Sequence, residues 1–475
     1  MWNSEWPVLA QINAVSLIDE GTAEVLDILQ GKAAATGVMI TAHGFNPEVI
    51  DRGRIWPGHG PRDSHGSLGG YFATSHEAYY KGLLLGSPQV RDSLFANFDV
   101  MAAVNEEARR RGLDVFVYIL ESASTGGFQR KITGWPRVLE IDVQGRRSQL
   151  PCINHPAYRE WKFAILEDLY SSYAFNGLLW GVERWGPLHK VIAGDSPACF
   201  CSHCRKVAVD AGLNWNRVKR GYAELYDLLS RCSSGAEENA LLRCILGNSE
   251  ILGWEWAWTQ SYLSFHRELY GVAKWLEPTR SFGLGLWHYY FINPLLQAEW
   301  DLREFSRSAD FIRPILYHRV EGPRIKRYLA MLKCMLPSVD RDTVWEIISD
   351  VQKLSLPPLK EFEEDGLTPE YVKQGVTNVR AMTAPGTKIL AGIGVDVFEE
   401  GLASQTKPRD LEAAVFAAHT SGADGITISR NYAEMRHANL EAIGRAVRTL
   451  HTHGNAPDDS ANSSGHGKVR GHRRR

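Results

Sequence analysis

The chain has 475 residues, 44% of them apolar and 23% charged, with a formal net charge of −2. This is ordinary globular composition with material for a large core, and it excludes a low-complexity chain or a disulfide-stapled mini-protein. The near-neutral balance gives no global reason to expect nucleic acid or an anionic membrane as partner, so an uncharged ligand fits better.

The N-terminus, "MWNSEWPVLAQINAV", has no basic start followed by an apolar run, and nowhere do about 18 apolar residues run unbroken. A soluble cytoplasmic protein is expected. The seven cysteines are odd in number, and three of them fall within "ACFCSHC", Ala198 to Cys204. That pattern does not read as a secreted disulfide framework.

Eight short β-rich runs follow one another along the chain. They are "INAVSLI" from Ile12, "GVMITAH" from Gly37, "DVFVYIL" from Asp114, "GLLWGVE" from Gly177, "FGLGLWH" from Phe282, "FIRPILY" from Phe311, "KILAGIGVD" from Lys388 and "GITISRNY" from Gly425. Stretches with helical spacing separate them, such as Trp161, Ile165 and Leu169, or Leu440, Ile443, Val447 and Leu450. Pro156 suits a first helical turn, and Gly112, Gly386 and Gly422 suit helix ends just before strands.

Strands alternating with helices predict an α/β fold, a (β/α)8 TIM barrel with its active site at the C-terminal strand ends. An open doubly wound sheet is the alternative. Insertions follow the second strand, about 44–89, and the fourth, about 185–280, and a third begins at "SVDRDTVWEIISDVQ", expected to start helical and end in a Pro-broken loop. The barrel unit is expected over residues 1–452, with a polar, basic and disordered tail over 453–475.

Zinc takes about four ligands in a tetrahedron, and C-x-C-x-x-C offers three thiolates from one tight loop: Cys199, Cys201 and Cys204. Cys152, in "LPCINHPAYREW", precedes the helix leading to the fourth strand and is the candidate fourth ligand, with His203 as a fallback. Four protein ligands leave no open position, so the zinc would be structural. Three free or buried thiols are the bland alternative.

"CINHPAYREW", a strand ending "WGVERWG" and then "CFCSHCRKVAVDAGLNW" together resemble the zinc-bearing segment of glycoside hydrolase family 42 β-galactosidases. The resemblance covers about Cys152 to Trp215. It implies Glu183 as the general acid/base and the four cysteines as zinc ligands. Two positions depart from the family pattern. Val182 stands where the family has Asn before the acid/base, and the seventh strand ends in "GIGVDVFEE" where the family carries a nucleophilic Glu.

Glycoside hydrolysis needs two carboxyl groups, about 5–5.5 Å apart for retention and about 6.5–9.5 Å for inversion. Glu183 and Asp396 are the acidic residues at the fourth and seventh strand ends, with Glu399, Glu400 and Glu434 as rivals to Asp396. The acid must be neutral near working pH, and Trp180 and Trp185 are the expected apolar walls. Candidate substrate-binding residues at the strand ends are His43, Glu121, Trp185, His288, His318, Arg430, Tyr432 and Glu434, and the aromatics of "LWHYYF" offer stacking faces.

The expected activity is therefore a glycosidase acting on a small or oligomeric neutral carbohydrate, with no nucleic-acid or membrane partner. Assembly into a homo-oligomer is compatible with it. The alternatives are a metal-dependent sugar isomerase or lyase, weakened by the lack of an H-x-H or H-x-x-x-H pair at a strand end, and a non-catalytic carbohydrate-binding barrel.

Overall fold

The computed structural model describes residues 2–44, 58–59, 70–89, 97–121, 128–231, 235–319, 321–396 and 406–454. Among them run eleven strands: β1 (Val8–Ile12), β2 (Gly37–Gly44), β3 (Gly70–Tyr71), β4 (Asp114–Leu120), β5 (Leu139–Ile141), β6 (Arg147–Pro151), β7 (Gly177–Val182), β8 (Ser281–Leu286), β9 (Phe311–Pro314), β10 (Lys388–Gly394) and β11 (Gly425–Ser429). Eight of them pair in parallel in the order β1, β11, β10, β9, β8, β7, β4, β2, and β1 pairs with β2 to close the ring. The short β3 adds antiparallel to β2, and β5 and β6 form a separate hairpin. The expected (β/α)8 barrel is the fold.

Side chains alternate sides along each strand. Leu9, Met39, Phe116, Tyr118, Leu120, Leu179, Phe311 and Leu390 form one cluster, the filling of the barrel. Trp2 closes its lower end, its ring centroid 4.9 Å from Phe116 and 5.5 Å from Phe311. The alternate positions, among them Val8, Val38, Val117, Leu178, Trp180 and Leu284, belong to the larger core beneath the helices.

Glycines admit the large interior rings. A Cβ on Gly283 would lie 2.2–2.5 Å from Phe311, and one on Gly181 would lie 2.6 Å from Tyr118.

The first strand is displaced from its expected place. Most of "INAVSLI" is helical, Ala14–Asp19, and the strand is the preceding "VLAQI". Both segments are apolar and short, and periodicity does not separate them. The other seven strands lie where expected.

The helix Pro156–Ser172 buries Trp161, Ile165 and Leu169, and Gly112 ends the helix Val100–Arg111 in the left-handed conformation at φ 67°. The insertion after β7 carries the helices Pro187–Ile192, Ser202–Asp210, Trp215–Arg231, Gly235–Gly247 and Glu250–Leu276. The third insertion is more helical than expected, since Leu359–Asp365 resumes a helix after the prolines. The expected tail lies outside the described residues from position 455 on. No described helix is long and apolar enough to cross a membrane.

Candidate active site and cysteine cluster

Inward positions on β7 recur every second residue, and Glu183 continues the series of Leu179 and Gly181 just past the strand end. Its side chain is thereby set at the barrel mouth, partly exposed. Burial pushes its carboxyl above the usual range, against the pull of Arg324, Arg313 and Arg430, whose charges favour the ionised form. The Tyr118 hydroxyl is pushed up by burial and next by the Glu183 charge, so the two groups share this space.

Arg313 reaches Glu183's surroundings from β9 by the same alternation, inward two residues after Phe311. Its guanidinium donates to Thr427 Oγ1 at 3.0 Å, Tyr317 Oη at 2.8 Å, Ser429 Oγ at 2.5 Å and Gln11 Oε1 at 3.3 Å. A charged residue inside "FIRPILY" was the signal that could have identified this polar layer. Arg430 pairs with Glu434 at 3.2 Å while also acting on Glu183, so one cation serves two carboxylates.

Asp396 has different company. Its Oδ2 accepts from the Arg436 backbone N–H at 2.9 Å and Asn439 Nδ2 at 2.8 Å, and its Oδ1 from Arg436 Nε and Nη2 at 3.1 and 2.8 Å. Four donors saturate the two oxygens and tie the end of β10 to the start of the helix His437–Gly454. Glu399 and Glu400 lie outside the described residues.

Several expected sugar contacts have structural partners. Glu121 is buried behind the strands, accepting from Tyr158 Oη at 2.8 Å and pairing with Arg184 at 3.2 Å. Tyr432 donates to Glu20 Oε2 at 2.9 Å and its ring lies 4.8 Å from His59. His318 is fully buried, and burial and then Arg319 hold its imidazole down to about 3. His43 ends β2, and its side chain lies outside the described residues.

Trp180 points outward by strand alternation, its ring 6.0 Å from Phe265, so it is no wall for Glu183. Trp185 does stand in an aromatic wall, with centroids 4.5 Å from Trp287 and 4.8 Å from Tyr289. Next to it, His288 contacts Tyr289 at 4.2 Å and is held well below the usual histidine range by burial, with Arg324 and Arg327 adding to the effect.

The four cysteines meet. Cys152 Sγ lies 3.6 Å from Cys201 Sγ and 3.5 Å from Cys204 Sγ, and ligand atoms of all four, Cys199 included, lie within 4.8 Å of one another. A tetrahedron of sulfurs about 2.3 Å from a central zinc has edges of about 3.8 Å. The spacing suits a shared ion and is far too long for a disulfide. Asn154 Nδ2 and the Ile141 N–H donate to Cys204 and Cys199, as groups around bound thiolates do. His203 lies against His155, ring centroids 4.4 Å apart and tilted by 56°, and is not part of the set.

This cluster is fastened to the end of β7. Phe200 N–H donates to Ile141 O at 2.6 Å and Val143 N–H to Pro197 O at 3.0 Å, joining the cysteine loop to the β5–β6 hairpin. Glu140 of that hairpin pairs with Lys190 at 2.5 Å and with Arg184 at 3.5 Å, and Arg184 also reaches Glu121. Arg184 directly follows Glu183, so it holds the back of the loop while Glu183 faces the mouth.

A second cluster has no signature in the linear sequence. His189, Glu255 and Glu299 are brought together from the helix Pro187–Ile192, the helix Glu250–Leu276 and the end of the helix Pro294–Glu299. They are far apart in sequence and follow no spacing rule.

No family model matches the sequence, and no curated protein matches it. Solved structures do. The β-galactosidase from the psychrophilic Marinomonas ef1 superposes with a TM-score of 0.54 at 10% identity, over 94% of this chain and 60% of that one. The β-galactosidase from the Antarctic haloarchaeon Halorubrum lacusprofundi gives 0.54 at 11%, over 94% and 58%. The α-L-fucosidase isoenzyme 2 from Paenibacillus thiaminolyticus gives 0.51 at 11%, over 94% and 49%. The chain thus spans about half to three-fifths of the length of these neighbours. What it has in common with these glycoside hydrolases is the TIM-barrel fold.

Proposed function

We propose that the chain is a glycosidase in which Glu183 is the general acid and Glu434 the second carboxylate. The observation that carries this reading is the setting of Glu183. It is an inward-facing carboxyl at the end of the fourth barrel strand, pushed up by burial, beside an arginine that also pairs with Glu434. A raised carboxyl can hold a proton for the departing glycosidic oxygen, and an ionised partner can act on the anomeric carbon or on a water.

Glu434 is preferred to Asp396 because the oxygens of Asp396 are saturated by Arg436 and Asn439. Trp185, Trp287 and Tyr289 supply apolar faces for a sugar ring, and His288 and Arg430 supply polar edges. The four-cysteine cluster, in this reading, holds a structural zinc as in the family 42 β-galactosidases that the Cys152–Trp215 segment resembles. Residues 1–452 then form one catalytic unit.

The test is hydrolysis of a panel of chromogenic glycosides by the full chain. Glu183→Gln is expected to lower kcat by about 10²–10⁴-fold on the active substrate and to remove the alkaline fall of the pH profile, because the reaction then no longer depends on a protonated Glu183. A folded Glu183→Gln variant with full activity overturns the assignment. Sugar binding without turnover anywhere in the panel points to a non-catalytic barrel.

A further inference from the structure

His189 Nδ1 lies 3.3 Å from Glu255 Oε1 and 3.5 Å from Glu299 Oε2, and the three side chains are 2%, 2% and 9% exposed. One ligand atom from each lies within 4.8 Å of the others. Glu255 is further oriented by the Leu188 N–H at 2.7 Å and the Tyr222 hydroxyl at 3.1 Å, both donating to its Oε2. By contrast, His189 Nε2 and Glu299 Oε1 are buried with no hydrogen-bond partner.

Two carboxylates brought together in a dry interior repel each other, and unpaired buried polar atoms cost free energy. A dication coordinated by one imidazole nitrogen and two carboxylates would relieve the repulsion, and binding through both oxygens of Glu299 would also satisfy its Oε1. Oxygen and imidazole donors suit Mn²⁺ and its borderline neighbours, whereas thiolates suit softer ions such as zinc.

We propose that His189, Glu255 and Glu299 bind a divalent transition cation, a second metal site separate from the four cysteines. Three protein ligands leave further coordination positions for water. The ion would tie the loop after β7 to the segment after β8. It would also fix Trp185, whose ring stacks on His189 at 5.1 Å with the planes 9° apart. Its role is therefore positioning: it sets the aromatic wall beside Glu183. The binding claim does not depend on the glycosidase reading.

The test is equilibrium dialysis of the zinc-loaded full chain against Mn²⁺, with pulsed electron paramagnetic resonance of the bound ion. One equivalent of Mn²⁺ is expected, coupled to a histidine nitrogen, and both the coupling and the equivalent should be lost in Glu299→Gln and in His189→Gln. Glu299→Gln keeps the size and shape of the side chain and mimics the alternative in which Glu299 simply carries a proton. No binding by the wild-type chain at millimolar Mn²⁺, a bound ion without nitrogen coupling, or unchanged stoichiometry in folded Glu299→Gln each overturns the proposal. If neither variant folds, failure of the wild-type chain to bind one nitrogen-coupled Mn²⁺ still overturns the proposal.

Discussion

His266 and His318 are fully buried, and burial is the main cause that holds their imidazoles down, to about 4 and about 3. In the unfolded chain each titrates near about 6.5. Because the folded values are depressed, the stabilising effect is complete above the unfolded value and is lost as pH falls below it. The loss is about 1.4 kcal/mol per pH unit for each group until the folded value is reached. The urea midpoint is expected to fall between pH 7 and pH 5, and because the buried His288 acts in the same sense, His318→Gln should flatten the histidine part of that dependence by about a third. An unaltered slope in the folded variant would contradict this account. His318 was expected among sugar contacts because it follows a strand end; its full burial was invisible in a linear pattern, since whether a loop residue faces the mouth or the helices depends on how the loop folds back.

At the scale of elements, the β5–β6 hairpin, the cysteine loop and the end of β7 act together. The chain of ion pairs from Lys190 through Glu140 and Arg184 to Glu121 is buried, so its net contribution to stability is modest, but removing one member leaves an uncompensated charge. The cysteines close the same assembly covalently if metal is bound. With the cysteines holding zinc as proposed, Cys152→Ser is expected to lower the zinc content, read by native mass spectrometry, and to cost several kcal/mol of stability. Full zinc content in that variant would remove Cys152 from the ligand set. The meeting of Cys152 with the C-x-C-x-x-C loop was legible from the sequence because spacing and order constrain both. The hairpin that holds them was not, because "RSQLP" carries no strong strand signal.

For the whole molecule, the barrel is filled by a few large side chains, and glycines on neighbouring strands make room for them. Gly283→Ala would press a methyl into the Phe311 ring and is expected to cost about 1–3 kcal/mol. Adding Phe311→Leu should recover part of that loss, since the two positions share one volume. Simple additivity in a denaturation cycle would argue against this packing. Trp2 plugs the lower end and donates its indole N–H to Ser281 Oγ at 3.0 Å, joining the N-terminal residues to β8. That contact spans 279 residues and has no counterpart in local sequence.

The alternation of strands and helices, seven of the eight barrel strands, the meeting of the four cysteines and the place of Glu183 at a strand end were legible in the sequence, because each rests on short-range periodicity or spacing. Which polar residues face the mouth depends on how the barrel closes. Strand closure turned Arg313 inward beside Glu183 and placed Glu121 behind the barrel against Arg184. Helix packing saturated Asp396 with Arg436 and Asn439, and it assembled His189, Glu255 and Glu299 from three separate helices. The physical reason is that a carboxylate's chemistry is set by burial and by the charges around it, and in a barrel those neighbours come from strands and loops hundreds of residues apart.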